Sequence, residues 1–246
     1  MSVLSIEKVS KSFEGELILK DVSMELREGE LVSVLGVSGS GKTTLFNLIS
    51  GLVKPDEGRI ILEEEDVTGR TGKVSYMLQK DLLLPHKTIL DNAALPLVLK
   101  GMSKKDAREK ASMLIEEFGL AGTEKKYPAQ LSGGMRQRVA LLRTYLFSEK
   151  VALLDEPFSA LDMLTKQSMH AWYLDVMQKI KLSTIFVTHD IDEAITLSDR
   201  IYLITGKPGT ITKEIIIDVP RPRPKDFNLT TEFLSYKKEI VSSLTP

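Results

Sequence analysis

The chain has 246 residues, enough for one sizeable α/β domain or two small ones sharing a core. Its 33 Lys and Arg against 34 Asp and Glu leave a formal charge of −1 with both signs interspersed, which argues against a dedicated nucleic-acid surface. It has no cysteine, so disulfides and thiolate metal sites are excluded, and no apolar stretch approaches the length of a bilayer span. Residues 1–8 lack the apolar core of a signal peptide. The expectation is a soluble chain whose membrane role runs through a partner.

In chain order, residues 3–9 and 17–26 read as strands around a turn at Glu14-Gly15. A third strand over 31–35 feeds the loop Gly36-Val37-Ser38-Gly39-Ser40-Gly41-Lys42-Thr43-Thr44, and a helix-like run follows over 44–49. G-x-x-x-x-G-K-T between a strand and a helix is the spacing of a phosphate-binding loop. Three glycines let successive N–H groups curl inward around a polyphosphate, and the helix adds its positive end. Lys42 is expected to reach the β- and γ-phosphates and the Thr43 hydroxyl to ligate Mg²⁺. A flexible turn with an incidental lysine is the alternative. Next, Pro55-Asp56-Glu57-Gly58 is a turn into a strand over 59–62, and 74–78 is a short strand ending at Gln79.

Between Gln79 and Gln130 the texture becomes helical. Ser103-x-x-Asp106 reads as a helix start and Gly119 as its stop. Ala107, Ala111, Leu114, Ile115 and Phe118 fall on one face, which leaves Lys104, Lys105, Arg108 and Lys110 as a solvated face. After Leu131 come a strand over 151–154, a helix over 161–180, a strand over 184–187, a helix over 190–197 and strands over 201–204 and 211–219. This alternation predicts a largely parallel core sheet carrying a helical insert. Pro220-Arg221-Pro222-Arg223-Pro224 reads as an extended linker with solvated arginines, before a final amphipathic helix.

Two further motifs carry chemistry. Val151-Ala152-Leu153-Leu154-Asp155-Glu156-Pro157 sets two acids at the carboxyl end of a buried strand, where ligands bind in open α/β sheets. Asp155 is placed to hold a metal's water shell, and Glu156 to orient and deprotonate an attacking water. Ordinary helix-start chemistry competes for the same pair. In Leu131-Ser132-Gly133-Gly134-Met135-Arg136-Gln137-Arg138, Ser132 caps a helix whose first amides the glycines leave bare, making a second anion-binding helix end. One nucleotide needs one phosphate loop. Two such sites make sense if each nucleotide is held by the first site of one subunit and the second of another.

On these residues the chain resembles the nucleotide-binding subunit of an ABC transporter. The match runs in the family's order through Walker A (36–44), the Q-loop glutamine Gln79, the signature (131–137), Walker B (151–156), the D-loop Ser159-Ala160-Leu161-Asp162 and the switch histidine His189. It implies a single α/β domain over 1–246: a P-loop NTPase core with a largely parallel sheet, an N-terminal antiparallel β subdomain and an inserted α-helical subdomain. The implied core lobe is 1–78 with 132–220, the helical lobe 79–131, and the C-terminal linker and helix 221–246.

The resemblance also implies a mechanism. Two copies dock head to tail on two ATP molecules, each between residues 36–44 of one chain and Ser132, Gly133, Gly134 and Met135 of the other. Thr43 and Gln79 would coordinate Mg²⁺ with Asp155 behind them, Glu156 would be the general base, and His189 would contact the γ-phosphate and hold the attacking water. Lys42 would neutralise charge in the transition state, and Asp162 would pass information across the dimer. Phe13 sits where the family stacks an aromatic on adenine, although a core aromatic fits that position equally.

An integral-membrane permease is the implied partner. Leu82, Leu83, Leu84, Pro85 and His86 would line its docking groove, or else form a buried turn. The wording of residues 79–86, 91–93, 155–162 and 206–211 resembles importers for nitrate, sulfonate, taurine, bicarbonate and related small solutes. That implies an extracytoplasmic solute-binding protein as an indirect partner and a peripheral place on the cytoplasmic face of the membrane. His86 stands where that group often has tryptophan and Ser159 where it often has glycine, while Leu142, Thr144 and Tyr145 replace commonly smaller residues. DNA-maintenance ATPases share the motifs but separate Walker A from the signature by long coiled coil, for which the interval from Lys42 to Leu131 is too short. A soluble assembly ATPase and an exporter ATPase remain as alternatives.

Overall fold

Burial alternates along β1 (Ser2–Phe13) and β2 (Glu16–Arg27), so that Leu4 and Ile6 on one strand and Val22, Met24 and Leu26 on the other face a common interior. The two strands pair antiparallel and join β4 (Glu57–Leu62) and β5 (Glu65–Asp66) in a sheet ordered β2-β1-β4-β5. Beneath it β3 (Leu31–Leu35) is buried on both faces, as a central strand of a parallel sheet must be. This second sheet adds β6 (Ser75–Met77), β7 (Val151–Asp155), β8 (Ser183–Thr188), β9 (Arg200–Thr205) and β10 (Thr210–Ile216), in the order β10-β9-β3-β8-β7-β6. All of its pairings are parallel except that of β10 with β9. These elements belong to a computed structural model that describes residues 2–148, 150–221, 223–224 and 226–244.

Helix α1 (Lys42–Ile49) lies between the two sheets. It buries Leu45, Phe46, Leu48 and Ile49 against Leu4, Ile6, Val32, Val34, Leu153 and Val187. Each such side chain contributes about 1.5–3 kcal/mol on burial. The alternate residues Leu31, Ala152, Leu154 and Phe186 face the opposite side, where α4 (Gly133–Phe147) and α5 (Met163–Ile180) cover the sheet. Against α4 packs α2 (Ile89–Leu99), which also packs on α3 (Lys104–Ile115). A third cluster joins α6 (Ile191–Leu197) and α7 (Thr231–Leu244) to the far edge of the sheet through Ile195, Leu203, Ile215, Phe233 and Ile240. The expected α/β fold is the one the chain adopts. Among the described residues no helix is long and apolar enough to cross a membrane.

Several local expectations shift. The helix expected over 161–180 starts at Met163, because Asp162 serves as its N-cap and accepts from Thr165 N. Asp190 caps α6 in the same way, and β10 ends at Ile216 rather than 219. Ser103 caps α3 as its spacing predicts, but Arg108 does not simply face water, since it grips Asp91 of α2 with two 2.8 Å hydrogen bonds.

The expectation of solvated linker arginines is wrong. Arg221 pairs with both carboxylate oxygens of Asp199 at 2.7 Å. Arg223 donates to the carbonyls of Ile195, Thr196 and Ser198 at the end of α6 and to Val219. Those carbonyls have no helical partner and form the negative end of α6, so a guanidinium fork gains both hydrogen bonds and charge compensation there. Burial lowers the Arg223 pKa to about 10. Pro222, in the same stretch, lies outside the described residues.

Candidate nucleotide site

The phosphate loop forms where β3 ends and α1 begins, at the carboxyl edge of the parallel sheet. Gly36 packs so close to β9 that a Cβ there would stand 2.3 Å from the Ile204 carbonyl oxygen, and Gly41 takes φ 91° at the N-cap of α1. No side chain caps this helix, so its first amides face outward. Lys42 is only 8% exposed, and its ammonium donates to the carbonyls of Gly36 (2.8 Å) and Val37 (2.9 Å). Burial holds its pKa below the usual lysine value, against the opposing pull of Glu156 and Asp155.

Asp155 ends β7 and Glu156 follows it. Asp155 is 9% exposed and accepts from the Tyr76 hydroxyl at 3.3 Å. Burial raises its carboxyl above the usual range, with the Glu156 charge adding to the rise while Tyr76 and Lys42 oppose it. Glu156 adopts φ 44°, a left-handed conformation that costs a non-glycine residue of order 1–3 kcal/mol and concentrates at functional sites. Its carboxylate is held from two directions. His189 Nδ1 lies 3.1 Å from Oε1, and Gln79 Nε2 donates to Oε2 at 3.3 Å. Gln79 also donates to Ser159 Oγ at 3.2 Å, and that hydroxyl in turn donates to the Glu156 carbonyl.

A cavity of about 580 Å³ is lined by Ser38, Gly39, Gly41, Lys42, Thr43, Thr44, Asp155, Glu156 and His189, with Ile18 and Val187 as apolar walls. A larger and shallower hollow of about 900 Å³ lies over β1, β2 and β4, but it carries no glycine loop and no acid pair after a parallel strand. Volume alone therefore does not mark the site. Side-chain oxygens around the 580 Å³ cavity are hydroxyls and carboxylates, which suit a hard cation such as Mg²⁺. Among the described residues no three His, Cys, Asp or Glu gather in a metal-binding group, so such a cation would complete its sphere with phosphate and water.

Of the sequence-derived site residues, Gly36, Val37 and Ser40 belong to the loop without lining the cavity, and Gln79 joins it through Glu156. Phe13, at the end of β1, is 44% exposed and outside the lining. Ser132 caps α4, accepting from Met135 N at 3.3 Å, but Ser132, Gly133, Gly134, Met135 and Asp162 are all absent from the cavity wall. Tyr76, Ile18 and Val187 also meet the site although the sequence singles out none of them, and Ser159, read as a D-loop residue, bonds Gln79. Tyr76 lies three positions before Gln79, on the strand beside β7, and that register was the one available signal.

A second hollow, of about 420 Å³, separates the core from the helical insert and is lined by Leu52, Tyr76, Leu82, Leu95, Leu99 and Arg143 among others. Of the run over 82–86 only Leu82 reaches it, and Leu83 is buried. Arg143 of α4 pins this loop by donating to the carbonyls of Asp81 and Leu82, while Arg136 donates to the Asp81 carboxylate.

Known proteins share this arrangement. Residues 19–159, more than half the chain, match the ABC transporter family. The formylaminopyrimidine import ATP-binding protein ThiZ of Halalkalibacterium halodurans is 44% identical over 241 residues, covering 97% of this chain and 94% of its own. The nitrate import ATP-binding protein NrtD of Synechocystis sp. is 38% identical over 251 residues, covering 98% and 94%. Among solved structures, the bacterial ABC transporter cassette MJ0796 superposes in its dimeric form with a TM-score of 0.72 at 31% identity, covering 87% of this chain and 98% of its own. A dimeric post-hydrolysis state of that cassette, bound to ADP and Pi, gives 0.71 at 30% identity over the same shares. By the family match over residues 19–159 and these relatives, the chain belongs to the ABC transporter family, among its ATP-hydrolysing cassettes.

Proposed function

We propose that this chain powers a binding-protein-dependent importer, working as a head-to-tail homodimer beneath an integral-membrane permease on the cytoplasmic face of the membrane. The observation that carries the reading is the separation of two anion sites in one chain. Ser132, Gly133, Gly134 and Met135 form a capped helix end with Ser132 exposed, yet none of them lines the cavity that holds Lys42 and Glu156. The signature is left to a nucleotide bound by a second copy, an arrangement supported by the dimeric state of MJ0796.

In this reading ATP lies on the inward amides of residues 36–44, and Lys42 exchanges its two carbonyl partners for the β- and γ-phosphates. Mg²⁺, held by Thr43 and Gln79 with Asp155 acting through water, would offset charge on the phosphate oxygens. Glu156 takes the proton of the attacking water, and His189 and Gln79 fix which way its carboxylate points. Lys42 then opposes the charge that develops on the transferring group. Phe13, exposed at the end of β1 with Lys11 Nζ 5.4 Å from its ring centre, would be the stacking surface for adenine. ATP favours the closed dimer because it touches both copies, and hydrolysis removes that preference.

The apolar hollow at Leu52, Leu82, Leu95 and Leu99 is the seat for a short permease helix. From it Asp81 and Leu82 lead back to Gln79 and so to Glu156. Relatives that import formylaminopyrimidine and nitrate favour import of a small solute of that kind, captured outside by a separate binding protein. Affinity purification of the tagged chain from its host's detergent-solubilised membranes tests this. An integral-membrane partner should accompany it, whereas recovery of the chain free of any membrane protein contradicts the transport role.

A further inference from the structure

Four polar side chains outside the nucleotide cavity, Lys166, His170, Asp190 and Glu193, fasten α5 to α6. Lys166, in the first turn of α5, donates to Asp190 Oδ2 at 2.6 Å and lies 3.5 Å from Glu193 Oε1. One turn later, His170 Nε2 lies 3.0 Å from the same Glu193 oxygen. Glu193 is 3% exposed, and its backbone N–H donates to Asp190 Oδ1. The Asp190 N–H donates in turn to Thr188 Oγ1, which closes a tight loop around His189. On its other side the His170 ring packs edge-on against Phe158 at 4.9 Å, two residues beyond Glu156.

Of the four only Glu193 is fully buried, while Lys166 and Asp190 keep 21% and 36% of their side chains exposed, so as ion pairs they add little to stability. What a hydrogen-bonded cluster of this kind supplies is fixed geometry. The geometry fixed here is that of the backbone on both sides of the Glu156–His189 contact. Burial opposes charge on both members of the Lys166–Asp190 pair, yet the pair holds the Lys166 pKa above its ordinary value and that of Asp190 below.

We propose that Lys166 and His170 are positioning residues which, through Asp190 and Glu193, set the place of His189 relative to Glu156. Because α5 starts on Asp162, whose carbonyl accepts from Lys166 N–H at 2.8 Å, the same clamp makes the switch histidine answer to the D-loop. The proposal rests on the reading that His189 acts at the γ-phosphate.

The test compares Lys166→Met, Lys166→Arg and His189→Ala in the full chain by steady-state ATPase and by affinity for a fluorescent ATP analogue. Lys166→Met should lower kcat about tenfold, the scale of a coupling of 1–2 kcal/mol, with KM and nucleotide affinity unchanged. Lys166→Arg should restore kcat, because a guanidinium can also span the two carboxylates. The chain has three histidines, so the imidazole NMR signals of His86, His170 and His189 can be told apart. In Lys166→Met those of His170 and His189 should move and that of His86 should not. An unchanged kcat or an unmoved His189 signal overturns the clamp. If Lys166→Met does not fold, His170→Gln takes its place, with the same two outcomes deciding. A normal kcat in His189→Ala overturns the reading of His189 itself. A low kcat there beside a normal one in Lys166→Met overturns the clamp alone.

Discussion

Gln79 Nε2 lies 3.3 Å from Glu156 Oε2, so the loop that enters the helical insert touches the acid that follows the core strand β7. Arg143 and Arg136 fasten the next residues of that loop to α4, the helix that starts at the signature. One glutamine thus stands where three parts of the molecule meet.

Gln79→Ala should cost about 10–100-fold in kcat, the usual effect of removing a side chain that orients a catalytic group. The melting temperature should stay put, because Gln79 is exposed and its bonds to Glu156 and Ser159 are long. Parallel ATPase and thermal-shift measurements check both halves.

Asp155→Asn should stabilise the chain without nucleotide while abolishing magnesium-dependent turnover. Burial raises the Asp155 carboxyl, so the folded state holds its proton more tightly than the unfolded one. Between the unfolded and folded pKa values the native state therefore binds more protons, and this residue's contribution to stability falls as pH rises through that window. At neutral pH the ionised group costs stability, and asparagine keeps the Tyr76 bond without the charge. Thermal unfolding at pH 7 should show a rise of about 2–4 °C, as ~1 kcal/mol gives in a chain of this size, and the difference should vanish below the ordinary carboxylate range.

Arg223→Ala should lower stability by about 2–4 kcal/mol, since it leaves the carbonyls that end α6 unpaired in a buried place. Arg223→Lys should not rescue it, because one ammonium cannot match a planar fork that reaches four carbonyls. Urea unfolding curves of the three proteins read this directly.

Much of this site was legible because its chemistry is local. The loop over 36–44, the Ser132 cap and the acid pair each lie within nine consecutive residues, next to a strand or helix whose apolar period is plain. The parallel core is legible from alternation, and the helices read from 161 and 190 start two positions and one position later, behind their caps Asp162 and Asp190. Contacts between segments distant in the chain were not legible. Arg223 meets carbonyls 25–28 residues away, and Tyr76 meets Asp155 79 residues on. No local pattern encodes such meetings, so the arginines of a proline-rich stretch read as linker. The clamp of Lys166 and His170 was invisible for the same reason, its carboxylates lying 23 and 24 residues further along.

In the proposed mechanism ATP joins two copies, each lending what the other lacks. This is tested most directly by weighing Glu156→Gln in solution by light scattering, with and without ATP and Mg²⁺. Removing the base should slow hydrolysis by about 10²–10⁴ and leave the nucleotide in place. With ATP the Glu156→Gln protein should be a dimer that returns to monomer when the nucleotide is removed or when Ser132→Arg is added. A protein that binds ATP yet stays monomeric throughout, with its permease present as well as absent, contradicts this mechanism.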